Sequence, residues 1–211
     1  MTPTEARTTP AMTGSEYPRD LEHDVTLGDG SRLRLRPVRP DDEERLISFH
    51  DRLSGQTAYQ RFFNVMKHLP RGSAHSLANV DYRRRLALVA EHGEGPCPML
   101  VAVARYDCTD QPNTAEIAFV IQDDWQNRGL GTILLEALLA AAEARGIRRF
   151  RAYVLPSNGR MLDLLARFTD IRERRTGGGV TEVLLTRRAP PTGHHFREAT
   201  DLPHAEANRL G

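Results

Sequence analysis

Residues 115–131, AEIAFVIQDDWQNRGLG, form the stretch whose residue types and spacing could do chemistry. They read as a strand, a short connector, a glycine-rich turn and the start of a long helix. Such a turn lets backbone N–H groups converge on an anion, and the helix dipole adds favourable potential. Gly129 and Gly131 permit close backbone approach, so a pyrophosphate fits this geometry. Arg128 can add charge-assisted bonds to phosphate oxygens, and the side-chain amide of Gln126 can fix the loop. A Gly-x-Gly before a helix also serves as a bare tight turn, and the residues alone leave both readings open. Two nucleotide-binding classes fall away. No Gly-Lys-Ser/Thr is present, so the groups that hold phosphate and magnesium in a P-loop are missing. The next strand, RFRAYVL at 149–155, ends in Leu155-Pro156 and brings no carboxylate to a ribose, as a dinucleotide fingerprint requires.

The elements that position this stretch follow from hydrophobic period. HDVTL (23–27) and SRLRLRPV (31–38) alternate around Gly28-Asp29-Gly30, a hairpin signal. Pro40 and Asp41 start a helix that Asp41 or Asp42 can cap, and its acidic DDEE run suits the positive end of the dipole. Leu46, Ile47, Phe49, His50 and Leu53 give it an apolar face. Ser54 caps a second helix, in which Ala58, Tyr59, Phe62 and Phe63 recur at helical spacing. A third is expected over 73–80. Strands follow at 86–92 and 99–106, joined by the turn at 93–98, and at 114–121. A long helix over 129–145 stops at Gly146. A strand at 149–155, a helix at 158–168 and a strand pair at 170–175 and 180–187 complete the order. The expected fold is mixed α/β (α+β), with a mostly antiparallel central sheet flanked by helices.

Composition bounds the class. The 211 residues carry a net charge of +1, which argues against a nucleic-acid binder with its strongly basic face. Of the 29 basic residues only Lys67 is a lysine, a skew that high genomic GC content explains. Two cysteines, Cys97 and Cys108, are too few for a disulfide framework or a four-ligand zinc site. They stand as free thiols by default, although one local disulfide stays open. No apolar run approaches a membrane span, and the N-terminus lacks the order of a signal peptide, so a cytoplasmic protein is expected. Residues 1–21 read as a disordered leader, 22–188 as one domain and 189–211 as a flexible tail. His50, His68, His75 and His92 lack metal spacing, and His194-His195 lacks partners, so no metal is expected. Arg83-Arg84-Arg85 reads as a solvated turn.

At QNRGLG (126–131) the chain matches the Q/R-x-x-G-x-G/A acetyl-CoA motif and resembles the GCN5-related N-acetyltransferases (GNAT). RLRPVRPDD (34–42) resembles their first strand-to-helix junction, and YVLPSNGRMLDLLARF (153–168) their later strand and helix. The likeness spans roughly 24–187, with three blocks in the right order. LRLRPVRPDDEERLISFHDRLSGQTAYQRFF and DYRRRLALVAEH further resemble the acetyltransferase domain of bacterial protein-lysine acetyltransferases. Those enzymes often fuse this domain to a cyclic-nucleotide-binding or acyl-CoA-synthetase-like region. Neither fits in this length, so a stand-alone catalytic domain is expected.

The resemblance implies a GNAT fold, acetyl-CoA as co-substrate and direct attack by an amine. A lysine amine, with a pKa near 10.4, is almost wholly protonated at pH 7 and needs a base. The tetrahedral intermediate needs an N–H donor for its oxyanion. A glutamate in the A-E-x-A context, matched here at Ala115–Ala118 with Ile121 where the family pattern has valine, makes Glu116 the expected base, although a solvated glutamate in an alternating strand has the same pattern. The strand is expected to splay at Phe119, Val120 and Ile121, whose backbone would pair with the pantetheine amides. Gln126, Asn127, Arg128, Gly129, Leu130, Gly131 and Thr132 would hold the pyrophosphate. Asn158 can cap its helix and can also reach the pantetheine. Leu165 stands where many relatives place a tyrosine acid, which leaves that role unassigned. Tyr59, Arg61, Phe62 and Phe63 would border the acceptor, and Arg83–Arg85 could attract an acidic substrate or the 3′-phosphate of coenzyme A. The acceptor is a protein lysine or a small amine, with neither nucleic acid nor membrane as partner. A catalytically weak acyl-CoA-binding regulatory module is the reading from another class.

Overall fold

The computed structural model describes residues 16–95 and 97–188. Most of the expected leader (1–15) and the expected tail (189–211, with His194 and His195) lie outside the described residues. One eight-stranded sheet organises the rest, in the order β1-β2-β3-β4-β5-β6-β8-β7. The strands are β1 (His23–Thr26), β2 (Arg32–Pro37), β3 (Arg85–His92), β4 (Met99–Cys108), β5 (Thr114–Ile121), β6 (Arg149–Val154), β7 (Thr169–Gly177) and β8 (Val180–Arg187). The pair β5–β6 is parallel and the other neighbours are antiparallel.

Five helices cover the two faces: α1 (Glu43–Asp51), α2 (Gly55–Phe62), α3 (Arg71–Ala78), α4 (Leu130–Glu143) and α5 (Gly159–Phe168). Strand alternation sorts the core between them. On β5, Ala115, Ile117 and Phe119 join Leu130, Leu134 and Leu138 of α4 in one cluster. Val120 joins Leu46 and Phe49 of α1 and Ala74 of α3 in the other. The central strands β3 and β4 are covered on both faces, which is why they read as nearly continuous apolar runs.

Three expectations shift. Helix α3 runs over Arg71–Ala78 rather than 73–80. Pro70, with its fixed φ, starts the helix earlier, and Asn79 ends it by turning its side chain back to the His75 carbonyl at 2.9 Å. Asp42 does not cap α1 through its side chain. Its carboxylate is drawn inward to Arg36, at 2.7 Å to each terminal nitrogen, and to the Arg39 N–H at 2.8 Å. Residues 17–21, assigned above to the leader, fold onto the sheet instead. The Tyr17 hydroxyl donates to Glu22 at 2.8 Å and to the Pro37 carbonyl at 3.2 Å, and its ring meets Tyr82 edge-on at 5.5 Å.

Candidate active site

Between β5 and α4 the chain makes a short 3-10 turn at Asp123–Trp125 and then reverses direction. Asn127 (φ 60°) and Gly129 (φ 87°) both take left-handed backbone. Glycine does so without a Cβ penalty, and asparagine tolerates it better than most residues. Gly129 is also the N-cap of α4, so no capping side chain covers the first-turn N–H groups that begin at Leu130. The Thr132 N–H returns to the Gly129 carbonyl at 3.1 Å. At Gly131 a Cβ would touch Leu164 at 3.4 Å and Ile121 at 3.5 Å. Internal packing alone therefore leaves room for alanine there.

The side chains around this turn bind it to two helices. Gln126 donates from Nε2 to the Ile121 carbonyl (3.0 Å) and to Thr57 Oγ1 (3.2 Å) of α2. Its Oε1 accepts from Arg160 of α5 at 3.0 Å. The loop-fixing role expected of Gln126 is thus present. Asp123, which sequence reasoning passed over, accepts from the Ser54 N–H (2.9 Å), Ser54 Oγ (2.7 Å) and Thr57 Oγ1 (2.8 Å). Burial alone would raise the Asp123 carboxyl, but these bonds outweigh it and hold it below the usual carboxylate range. Arg128 is not free: its guanidinium pairs with Asp29 of the β1–β2 turn at 3.1 Å and lies over the Trp125 ring at 5.1 Å.

Glu116 stands where the sheet opens. β5 and β6 pair through Thr114↔Arg149, Ala115↔Phe150 and Glu116↔Arg151, and there the pairing ends. Phe119, Val120 and Ile121 remain paired to β4 on one side, and among the described residues no strand lies beside them on the other. Glu116 is exposed on the face that carries Ala118 and Val120, beside Asp107 of β4 in the register. Its carboxylate accepts no hydrogen bond among the described residues. On the same face, Tyr59 and Phe63 of the α2 segment are exposed, and Phe62 tilts against the His50 ring at 5.5 Å. Arg61 and Phe62 also reach the sheet at Ala118 and Val120.

Asn158 caps α5, its Oδ1 accepting from the Met161 N–H at 3.2 Å, which leaves its amide NH2 without a partner among the described residues. Leu165 is fully buried in the core, so no acid stands there. The Arg83–Arg85 segment is an Asx turn, with Asp81 Oδ1 accepting all three backbone N–H groups. Arg83 and Arg84 share a groove with Ala144 and Gly146, beyond the C-terminal end of α4 and so at the opposite end of that helix from the glycine turn. A 14-residue helix spans roughly 21 Å, too far for these arginines to serve the same anion. Cys97 and Cys108 are free thiols. Among the described residues no group of three or more His, Cys, Asp or Glu could hold a metal, and no helix is long and apolar enough to cross a membrane.

The family model described as "Acetyltransferase (GNAT) domain" matches residues 32–168. Acetyltransferase Pat of Mycolicibacterium smegmatis is 36% identical over 162 residues, 75% of this chain and 47% of that protein. The chain thus spans about half the length of that relative. The crystal structure of the GNAT domain of S. lividans PAT superposes with a TM-score of 0.73 at 36% identity, covering 81% of this chain and 99% of that one. At the level of fold alone, yncA, a putative acetyltransferase from Salmonella typhimurium solved with acetyl-CoA, gives 0.57 at 14% identity, covering 79% of this chain and 98% of that one.

Proposed function

The chain belongs to the GNAT acetyltransferase family, and on that premise we propose that it transfers the acetyl group of acetyl-CoA to a protein lysine, with Glu116 as general base. The observation that carries this reading is the position of Glu116, exposed at the point where β5 and β6 part. Acetyl-CoA lies across that opening. The unpaired side of β5 at Phe119, Val120 and Ile121 pairs with the pantetheine amides as a neighbouring strand would. The turn from Gln126 to Thr132 takes the pyrophosphate on its backbone N–H groups, and the free amide of Asn158 reaches the pantetheine arm. Asn127 and Gly129 supply the backbone reversal, Leu130 and Gly131 the first N–H groups. Arg128 reaches phosphate by exchanging Asp29 for it. A backbone N–H near Phe119 faces the thioester oxygen and stabilises the developing oxyanion.

The acceptor approaches from the face of α1 and α2. Glu116 takes the ammonium proton, directly or through water, and the neutral amine attacks the thioester carbon. The tetrahedral intermediate collapses with cleavage of the C–S bond, and the second proton of the now cationic nitrogen passes through water to the departing thiolate, giving the neutral amide and the free thiol. A thiol with a pKa near 8.5 needs no side-chain acid to leave, which fits the buried Leu165. The free thiols accord with the reducing cytoplasm as the compartment. The catalytic domain in this reading takes in the folded-back segment from Tyr17 and runs on to residue 188.

Glu116→Gln is the direct test. Turnover near pH 7 should fall at least about a hundredfold, the usual range for a general base, while acetyl-CoA affinity by calorimetry stays within about twofold. Retention of more than half the rate would remove Glu116 from the mechanism. Labelled acetyl-CoA incubated with a cell lysate tests the acceptor: labelled protein bands support the lysine reading, and label confined to small molecules overturns it.

A further inference from the structure

The register of β5 and β6 sets Glu116 and Arg151 side by side. Partners in a sheet put their side chains on one face, and opposite charges there are natural neighbours. Glu116 and Arg151 nonetheless form no ion pair, and among the described residues nothing donates to the Glu116 carboxylate.

Arg151 is drawn the other way. Its Nε lies 3.0 Å from Glu182 of β8, an ion pair rather than an aligned hydrogen bond. Its Nη2 donates to Gln111 of the β4–β5 loop at 3.3 Å. In the β6–β8 register Arg151 faces Leu184 and Tyr153 faces Glu182, so Glu182 meets Arg151 on the diagonal, a distance that long side chains span. Contact with Tyr153 is the first cause that lifts the Arg151 guanidinium above its ordinary value, ahead of the charges of Glu182 and, last, Glu116. The other charges around Glu116 come from β4, β3 and α2. Asp107, its register partner on β4, accepts from Arg105 of β4 and Arg85 of β3, each at 2.9 Å. On α2, Arg61 lies over the Phe62 ring at 4.9 Å, and burial pushes its guanidinium down to about 10. Arg151 is therefore the cation whose own rotation would bring it onto Glu116 from the β6 side. A guanidinium in that place would occupy the carboxylate oxygens and lower their basicity, and a general base needs both.

We propose that Glu182 is a positioning residue for acetyl transfer: it holds Arg151 on the β8 side and so keeps the Glu116 carboxylate open to the acceptor ammonium. The inference rests on the reading of Glu116 as general base given above. Loss of the Glu182 charge releases Arg151 to the cross-strand pair that the register favours. The base is then both covered and weakened, with no change in the residues that hold acetyl-CoA.

The test compares Glu182→Gln, Glu182→Asp and the double variant Glu182→Gln with Arg151→Gln, each in the full chain. Initial rates of label transfer from acetyl-CoA to a fixed lysate protein fraction are followed as a function of pH. Glu182→Gln should lower the rate near pH 7 roughly three- to fivefold, the scale of a part-exposed charge pair. The acid limb of its profile should move down by roughly half a pH unit, because a carboxylate beside a guanidinium holds its proton less well. Glu182→Asp, which keeps a carboxylate on β8, should stay within about twofold of the unaltered chain. The double variant should recover to the same range, since the cation that would cover the base is gone, whereas a merely structural role for Glu182 gives no rescue. An unchanged rate and limb in Glu182→Gln would overturn the inference, as would a double variant no faster than Glu182→Gln alone. Glu116→Gln is measured beside them. If it keeps more than half the rate, the base reading fails and the inference with it; a collapse in Glu116→Gln with an indifferent Glu182→Gln sinks the inference alone.

Discussion

Arg36 and Asp42 meet almost wholly out of solvent, at 2% and 1% side-chain exposure, and Glu91 and Arg45 complete the cluster at 2.6 and 2.8 Å. Burial would raise both carboxyls. The hydrogen bonds from Arg36, with the Arg39 backbone for Asp42 and Arg45 for Glu91, outweigh it and hold both below the usual range. Removing one partner from such a set strands a buried charge, at a cost of about 3–5 kcal/mol. Asp42→Ala should therefore lower unfolding stability by that amount in urea titrations, while Asp41→Ala next to it should stay within about 0.5 kcal/mol. The sequence showed both aspartates as candidate caps, because cap preference is local. It could not show that one points inward, since the Arg36 guanidinium that receives it is on β2 and is itself held by Glu91 on β3. Gln126 was legible for the opposite reason: one of its partners, the Ile121 carbonyl, is five residues away. Asp123 and Arg160 carried no local signal, because their partners lie on elements distant in the chain.

Helix α2 is the least self-sufficient element near the site. It has eight residues, far short of what holds a helix alone. Ser54 both caps it, accepting from the Thr57 N–H at 3.2 Å, and donates to Asp123. Ser54→Ala should cost about 1 kcal/mol, typical of a lost cap, and should raise KM for the acceptor while leaving acetyl-CoA affinity within about twofold. Stopped-flow binding and initial rates would separate the two; an unchanged acceptor KM would detach α2 from the acceptor side. The order and type of the elements were readable from period and from Gly and Pro punctuation. Gly146 (φ 84°) stops α4 as expected. The parting of β5 from β6 was expected only through family resemblance. Alternation along a strand tells which face a residue takes, not how far its neighbour follows.

Over the whole molecule, two groups shifted in opposite directions on the pH scale, Glu22 and Tyr17, sit together on the folded-back segment before β1. Arg34 donates to Glu22 at 2.7 Å, and with Tyr17 and Arg39 it holds that carboxyl down at about 2. A depressed carboxyl stabilises the fold above its unfolded pKa, and that stability is lost as pH falls from 4.5 through about 2. Tyr17 is raised by burial and by its bond to Glu22 to about 12. A raised tyrosine has its full effect below 10.0, lost as pH climbs from there through about 12. Thermal melts should show a plateau between about pH 5 and 10 with losses on both sides, and Tyr17→Phe should steepen neither limb but shift the alkaline one upward. An alkaline limb that Tyr17→Phe leaves unmoved would refute this assignment.

The Thr57 hydroxyl, finally, belongs to both halves of the site at once: it gives its proton to Asp123 on the strand side of the turn and takes one from Gln126 on the helix side. Neither bond can lengthen without disturbing the other. If occupancy of the turn tightens α2, then by thermodynamic reciprocity an acceptor held by α2 tightens the turn by the same factor. The two substrates would then strengthen each other equally whichever arrives first, and Thr57→Ala should lower that mutual gain without favouring either order.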